Sequence, residues 1–218
     1  MSTKVNVGII GAGRIGRLHA EHLTSRIRDV NILAIADIRL EAAESCAADF
    51  HIPLALTDHR HIMENLDIQA VVICSGTDTH TGMIEEAAAA GKHIFCEKPI
   101  GFDLARIDQA LEAVDKVGVK LQVGFNRRFD PSFRSARQLI AAGKIGTPHI
   151  VRITSRDPEP PPLEYIKHSG GIFMDMTIHD FDMARYLIDS EVSELYVVGG
   201  VMVNPEIGKA GDIDTAIT

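Results

Sequence analysis

The length, composition and charge of this chain exclude several classes of protein. Its 218 residues are 45% apolar, which is enough for a sizeable core in one large domain or two small ones. The formal net charge is −8, whereas a nucleic-acid-binding protein needs clustered cations. No apolar run is long enough to span a bilayer, and the N-terminus leads straight into a predicted strand instead of a signal peptide. We therefore expect neither a nucleic-acid nor a membrane partner.

A glycine-rich turn follows the first predicted strand, Lys4–Ile10, and precedes a segment with helical spacing of apolar residues. In a dinucleotide fingerprint, Gly11 makes the tight turn, Gly13 lets the backbone approach the pyrophosphate, and Gly16 lets the helix pack closely on the strand. The N–H groups at the helix N-terminus then hold the pyrophosphate. The alternative interpretation is an ordinary glycine turn in an α/β protein.

An acidic residue ends the second predicted strand. Asp37 lies about twenty residues beyond the fingerprint, where a carboxylate accepts both hydroxyls of the adenosine ribose. It would repel the 2′-phosphate of NADP, so we predict NAD as the cofactor. Arg39 keeps NADP possible, because a guanidinium can pair with that phosphate. The predicted cofactor residues in this half are Gly11, Gly13, Arg14, Ile15, Gly16, Asp37, Ile38 and Arg39.

Strands and helices alternate through the first part of the chain. Predicted strands lie at 4–10, 31–37, 70–74, 93–96 and 120–124, with a weaker one at 55–56, and predicted helices at 40–50, 80–90 and 104–117. This alternation is typical of a doubly wound parallel sheet, the α/β Rossmann architecture. Ligands bind beyond the carboxyl ends of such strands, where polar residues at 75–80, 97–98 and 126–128 fall.

The pattern changes near Gly124. A helix at 133–142, an alternating strand at 149–155, a long helix from about residue 171, and strands at 195–203 and 214–218 are predicted. We predict a dinucleotide-binding Rossmann domain over 1–124 and an α+β domain over 125–218 with an open antiparallel sheet, for substrate and oligomer contacts. Because the chain stops inside a β-like alternation, we expect a truncated second domain with an open edge.

Three polar residues of the predicted long helix share one face. Asp175, His179 and Asp182 are spaced i, i+4 and i+7, and a carboxylate one turn from an imidazole can fix its tautomer for taking a hydroxyl proton. Lys98 follows a strand whose carboxyl end faces the nicotinamide and can hydrogen-bond the reacting oxygen. The alternatives are a solvated helix face, an exposed turn lysine and a divalent-metal site, but no second histidine lies at metal-ligand spacing. We predict no metal.

The remaining histidines and the cysteines carry less information. His19, His22, His59 and His61 are interpreted as surface or interhelix residues. The cysteines, Cys46, Cys74 and Cys96, are odd in number and widely spaced, without a CxxC pattern. We interpret them as reduced core residues of a cytoplasmic protein.

Taken together, the motifs resemble the Gfo/Idh/MocA oxidoreductase family, and within it the inositol 2-dehydrogenases. The resemblance rests on VGIIGAGRIG after Asn6, on Cys96–Pro99, on GFNRRF at 124–129 and on the run at 170–182. The lysine turn combined with D-x-x-x-H is the specific part. Family members continue well beyond this length, which supports the expectation of truncation.

The resemblance implies roles for individual residues. The implied catalytic residues are Lys98, Asp175 and His179, and the implied further cofactor residues are Thr77, His80 and Glu97. Ser75 is predicted as a cofactor residue from its position after the strand at 70–74. The resemblance also places Arg128, Asp157 and Asp182 near the substrate beside the catalytic three. We expect an NAD-dependent dehydrogenase that oxidises myo-inositol to its 2-keto form and that is a tetramer or dimer in its full-length form. The alternatives are an NADP-dependent sugar or keto-sugar reductase and a non-catalytic dinucleotide-binding regulatory module, which would not need the catalytic three.

Overall fold

A computed structural model describes residues 4–218, and the chain divides into two compact units, Met1–Gly124 and Phe125–Thr218. The first unit alternates strands and helices. Its strands are β1 Val5–Ile10, β2 Val30–Ala36, β3 Leu54–Leu56, β4 Ala70–Ile73, β5 His93–Cys96 and β6 Leu121–Val123. Its helices are α1 Arg14–Ser25, α2 Leu40–Phe50, α3 Arg60–Glu64, α4 Thr77–Ala89 and α5 Leu104–Val117.

The six strands form one parallel sheet in the order β3-β2-β1-β4-β5-β6. Buried strand residues alternate between two apolar clusters, as the period of two requires: Ile9 belongs to one cluster and Ile10 to the other. Parallel strands with both faces covered need such continuous apolar runs. The strand order reverses between β1 and β4, which is where doubly wound sheets open a ligand crevice. The predicted Rossmann architecture is confirmed.

The second unit is mainly helical. It contains a 3-10 turn Asn126–Phe129, α6 Pro131–Ala141, α7 Leu163–Ser169, a π-helical turn Phe173–Thr177, α8 Ile178–Ile188 and α9 Pro205–Lys209. Strands β7 Val198–Gly200 and β8 Thr215–Ile217 pair antiparallel. Among residues 4–218, no helix combines the length and apolarity needed to cross a membrane.

One prediction for this unit is wrong. Residues 149–155 form no strand, because alternation alone does not make one without a neighbouring strand to complete the hydrogen-bond ladder. The long helix predicted from about residue 171 is present over 171–188, and its stretch Phe173–Thr177 is the π-helical turn that precedes α8. The strands predicted at 195–203 and 214–218 are present and paired, but each is three residues long.

Acidic side chains hold the loops of the second unit. Asp130 caps α6 by accepting the N–H groups of Ser132 and Phe133. Asp214 accepts three consecutive backbone N–H groups, those of residues 202–204, at 2.8 to 2.9 Å. These bonds stabilise the ionised form and lower the pKa of Asp214 to about 2. The connection before β8 is therefore held by one charged group.

Candidate functional site

Two glycines of the fingerprint are required by packing. Gly11 has φ +100°, and a Cβ there would lie 2.6 Å from the carbonyl carbon and oxygen of Cys74. A Cβ at Gly16 would lie 1.9 Å from the carbonyl oxygen of Gly11. These contacts bring α1 directly against the end of β1 and the loop after β4. Gly11 and Gly16 therefore shape the turn, as the sequence predicts.

Gly13 differs from both. A Cβ built at this position meets no atom within 4 Å, so the fold itself leaves open space there. Gly13 is the N-cap of α1 and no side chain caps the helix. The first N–H groups of an α-helix lack intrahelical acceptors and attract anions. The open space and the uncapped helix end both fit a pyrophosphate.

Asp37 is anchored at the end of β2 by backbone groups. Its Oδ2 accepts the N–H of Ala12 at 2.8 Å, and its Oδ1 accepts the N–H of Arg39 at 2.9 Å. Its side chain is 10% exposed, whereas that of Arg39 is 70% exposed, with Nε 3.6 Å from Oδ1. An ionised carboxylate has about four acceptor positions, so capacity remains for the two hydroxyls of a ribose.

The structure brings these groups to one cleft of about 390 Å³ beyond the carboxyl ends of β1, β2 and β4. Six predicted cofactor residues line it, namely Gly11, Gly13, Asp37, Ile38, Arg39 and Ser75. Of the other predicted residues, Arg14, Ile15 and Gly16 lie in the first turn of α1, and Thr77 begins α4. The cofactor prediction did not include the other eight lining residues, which are Ile10, Ala36, Thr57, His59, Cys74, Gly76, Thr79 and Met83. The cleft fits the adenosine and pyrophosphate part of a dinucleotide.

His80 lies in the interior, with an exposure of 1%, and does not line this cleft. Its Nδ1 is 2.8 Å from the carbonyl oxygen of Pro99, and its Nε2 is 3.1 Å from that of Ser75. The side chain therefore connects the loop after β4, part of which lines the cleft, with the turn after β5. The resemblance placed His80 near the cofactor, and its contact with a cofactor stays a prediction.

His19 and Glu97 form a pair that the sequence did not reveal. The Nε2 of His19 lies 2.7 Å from Oε1 of Glu97, and the imidazole edge packs on Phe95. The interpretation of His19 as an ordinary surface or interhelix residue is corrected, because it contacts the strand end beside the predicted catalytic turn. One signal was available: His19 follows Gly16 by three positions, so both face the same side of α1.

Asp175 and His179 lie in the second unit, at the π-helical turn and the start of α8. The phenol of Tyr165 donates a hydrogen bond to Oδ1 of Asp175 at 2.9 Å. The Thr177 hydroxyl donates to the carbonyl of Ile172, five residues back. Because π turns are frequent at functional sites, this irregular turn supports the choice of Asp175 and His179. Sequence reasoning missed Tyr165.

Arg128 and Asp182, both predicted near the substrate, bind each other. Nε of Arg128 donates to both carboxylate oxygens at 3.0 and 2.9 Å, and Nη2 donates to Oδ1 at 2.6 Å. The Asp182 side chain is 6% exposed, and the guanidinium also lies over the ring of Tyr186. These hydrogen bonds raise the pKa of Arg128. The pair joins the 3-10 turn to α8, and its contact with a substrate stays a prediction.

The neighbouring residues make a second link of the same kind. Arg127 donates to Asp180 at 2.5 Å, and Ser155 donates to the same oxygen at 2.7 Å. Asp157 lies in the exposed stretch between α6 and α7. Within the described part of the chain, no three His, Cys, Asp or Glu side chains are grouped as metal ligands.

Two family models match the chain. One is described as an oxidoreductase family with an NAD-binding Rossmann fold and matches residues 5–125. The other is described as the GFO/IDH/MocA C-terminal domain and matches residues 133–218. The resemblance drawn from the motifs is confirmed, and the predicted cofactor agrees with the description of the first model.

Individual relatives are also similar. An uncharacterized oxidoreductase of Bacillus subtilis is 53% identical over 100% of this chain, and a myo-inositol 2-dehydrogenase of Thermotoga maritima is 48% identical over 98%. A scyllo-inositol dehydrogenase structure from Lactobacillus casei, with bound NAD(H) and scyllo-inositol, has a TM-score of 0.89 at 32% identity over 98% of this chain. The matches cover 63%, 64% and 65% of those three proteins, so the chain spans somewhat less than two thirds of their length.

Proposed function

Since the chain belongs to the Gfo/Idh/MocA oxidoreductase family, we propose that it is an NAD-dependent inositol dehydrogenase. The proposed reaction oxidises a secondary alcohol of a cyclic polyol, with myo-inositol converted to 2-keto-myo-inositol (scyllo-inosose) as the leading case. The observation that supports it best is the 48% identity to the Thermotoga enzyme over 98% of this chain. Because the Lactobacillus structure contains scyllo-inositol, that isomer is the first competing substrate.

The Rossmann unit supplies the cofactor site in this proposal. The uncapped N-terminus of α1 at Gly13 holds the pyrophosphate, and Asp37 accepts the hydroxyls of the adenosine ribose. Bound NAD supplies the hydride acceptor for the carbinol carbon. The charge of Asp37 disfavours the 2′-phosphate of NADP, and this supports NAD over the NADP-dependent reductase as an interpretation.

In this proposal, protein side chains carry out the proton transfer that accompanies the hydride transfer. We assign His179 as the base that takes the hydroxyl proton, with Asp175 orienting the imidazole and stabilising its protonated form. Tyr165 donates a hydrogen bond to one oxygen of Asp175 and so restrains the orientation of the carboxylate. Lys98 donates a hydrogen bond to the substrate oxygen as it becomes a carbonyl. A non-catalytic module would have no use for these three roles.

The proposal also covers the cellular location and the oligomeric state of the protein. Cys46, Cys74 and Cys96 are unpaired, and burial raises the pKa of the Cys74 and Cys96 thiols, which suits structural cysteines of a reducing compartment. We propose the cytoplasm. We also propose a homo-oligomer, which light scattering after size-exclusion chromatography measures directly.

The test is the absorbance of reduced nicotinamide with a panel of myo-inositol, scyllo-inositol and hexoses, each with NAD and with NADP. We expect NAD reduction with an inositol. Lys98→Met and His179→Asn should each lower turnover about 100-fold or more, the scale of a positioned acid or base, with little change in NAD affinity. His168→Asn, on the exposed part of α7, is the matched control. NAD reduction by no polyol, or near-normal turnover in either variant, would contradict the assignment.

A further inference from the structure

We propose that His19 and His80 are positioning residues that hold the Glu97–Pro99 turn from two sides and thereby fix the direction of Lys98. This inference rests on the catalytic role proposed for Lys98. The two histidines come from different helices, α1 and α4, and each contacts a residue directly beside the lysine. Both sequence neighbours of Lys98, Glu97 and Pro99, are therefore fixed by contacts with a histidine.

The contact on the N-terminal side fixes the Glu97 side chain. An ionised carboxylate only accepts hydrogen bonds, so Nε2 of His19 carries the proton in the 2.7 Å contact with Oε1. The other oxygen, Oε2, would lie 2.9 Å from a Cβ at Gly124, which means that the carboxylate packs against the end of β6. The backbone N–H of Glu97 donates a hydrogen bond to the carbonyl oxygen of Ile73, at the end of β4. With a side chain only 20% exposed, Glu97 is held by β4, β6 and α1 together.

The contact on the C-terminal side fixes the Pro99 carbonyl. Both ring nitrogens of His80 face carbonyl oxygens, and a neutral ring donates to one of them. We assign the N–H to Nδ1, because its 2.8 Å contact with Pro99 is shorter than the 3.1 Å contact of Nε2 with Ser75. A Cβ at Gly101 would lie 2.9 Å from Cγ2 of Thr81, so α4 also packs closely on the segment after the turn.

The same two helices border the cofactor cleft. The N-cap of α1 is Gly13, which lines the cleft, and α4 begins just after Ser75 and Gly76, which also line it. A dinucleotide that orders these two borders also orders the residues beside Lys98. Coupling between two sites is reciprocal, so the state of the turn acts on NAD affinity by the same factor. The function inferred is that cofactor occupancy sets the orientation of the lysine.

The experiment measures the acylation rate of Lys98 by an amine-reactive anhydride, by mass spectrometry of the 218-residue protein with and without saturating NAD. We expect NAD to change the Lys98 rate about fivefold or more in the unaltered protein, the lower end of typical allosteric coupling. In His19→Leu the response should disappear while NAD still binds. His19→Gln should restore it, because the amide can donate to Glu97 from a similar position.

Controls separate positioning from simple stabilisation. His22→Gln, one turn along α1, should keep the response of Lys98, and Lys120 gives an internal reference rate in every digest. His80→Asn keeps a donor near the Nδ1 position for Pro99 and should retain the response, whereas His80→Gln keeps the Ser75 side and should lose it. If the buried His80 variants fail to fold, the comparison of His19→Leu with His19→Gln decides whether the proposal holds.

Several outcomes overturn the proposal. A Lys98 rate that still responds to NAD in His19→Leu, or a His19→Gln variant that behaves like His19→Leu, refutes the role of His19. A lower melting temperature with an unchanged response would show a merely structural role. Acylation does not require turnover, so a protein that reduces no NAD with any inositol refutes the proposed function without deciding this result.

Discussion

Replacing Gly13 by alanine separates ligand binding from folding. The added methyl group meets no atom within 4 Å, and the backbone angles, φ −70° and ψ −171°, are open to any residue. Alanine is a poorer N-cap than glycine and destabilises the fold there by about 1 kcal/mol. It also lowers the conformational entropy of the unfolded chain, which stabilises the folded state by about 0.4 to 1 kcal/mol. The free energy of unfolding should therefore change by less than about 1 kcal/mol.

The effect on the cofactor should be much larger. The methyl group fills the space where the pyrophosphate approaches α1, and losing one hydrogen bond to a charged group costs about 1.5 to 3 kcal/mol. This corresponds to NAD binding that is weaker by about 10- to 150-fold. Titration with NAD in a calorimeter, beside a thermal melt of the same sample, measures both quantities.

Two other glycines provide matched comparisons. Gly16→Ala places a Cβ 1.9 Å from the Gly11 carbonyl oxygen and should destabilise the protein by several kcal/mol, about 3 or more. Gly82→Ala, inside α4 and also without an atom within 4 Å, should be neutral or stabilising by up to about 1 kcal/mol and leave NAD binding intact. The reasoning fails if Gly13→Ala binds NAD normally, or if it melts as early as Gly16→Ala.

Two further predictions concern carboxylates. Asp37→Asn keeps the side-chain shape but removes the charge. The preference for NAD over NADP, measured by fluorescence titration, should therefore shrink about tenfold, the scale of one short-range charge interaction. An unchanged preference would contradict the role of Asp37 in selecting NAD. The pKa of Asp214 is lowered to about 2, so the stability it contributes is present above the unfolded value of about 3.9 and is lost as the pH falls toward 2. Amide exchange at residues 202–204, corrected for intrinsic rates, should accelerate across that window, and Asp214→Asn should already exchange quickly at neutral pH. Equal protection in the two proteins would refute this.

The Rossmann unit was predictable because its signals are local. Apolar runs, a glycine turn and an acid at the next strand end each occupy a few consecutive residues, and six of the predicted cofactor residues line one cleft. The His19–Glu97 pair joins residues 78 positions apart, and no local pattern encodes such a contact. The π-helical turn escaped prediction for another reason: one extra residue per turn leaves the polar spacing of Asp175 and His179 compatible with an ordinary helix.

Asp37 and Asp182 show why a nearly buried carboxylate does not by itself identify a binding site. Their side chains are 10% and 6% exposed. The partners of Asp37 include two backbone N–H groups, which leave acceptor positions and most of its negative charge in the cleft. The partner of Asp182 is a guanidinium that donates three bonds and neutralises it. By the same reasoning, we predict that a polyol substrate would be recognised more by Asp175 and His179 than by Asp182, because the Arg128–Asp182 pair joins the 3-10 turn to α8.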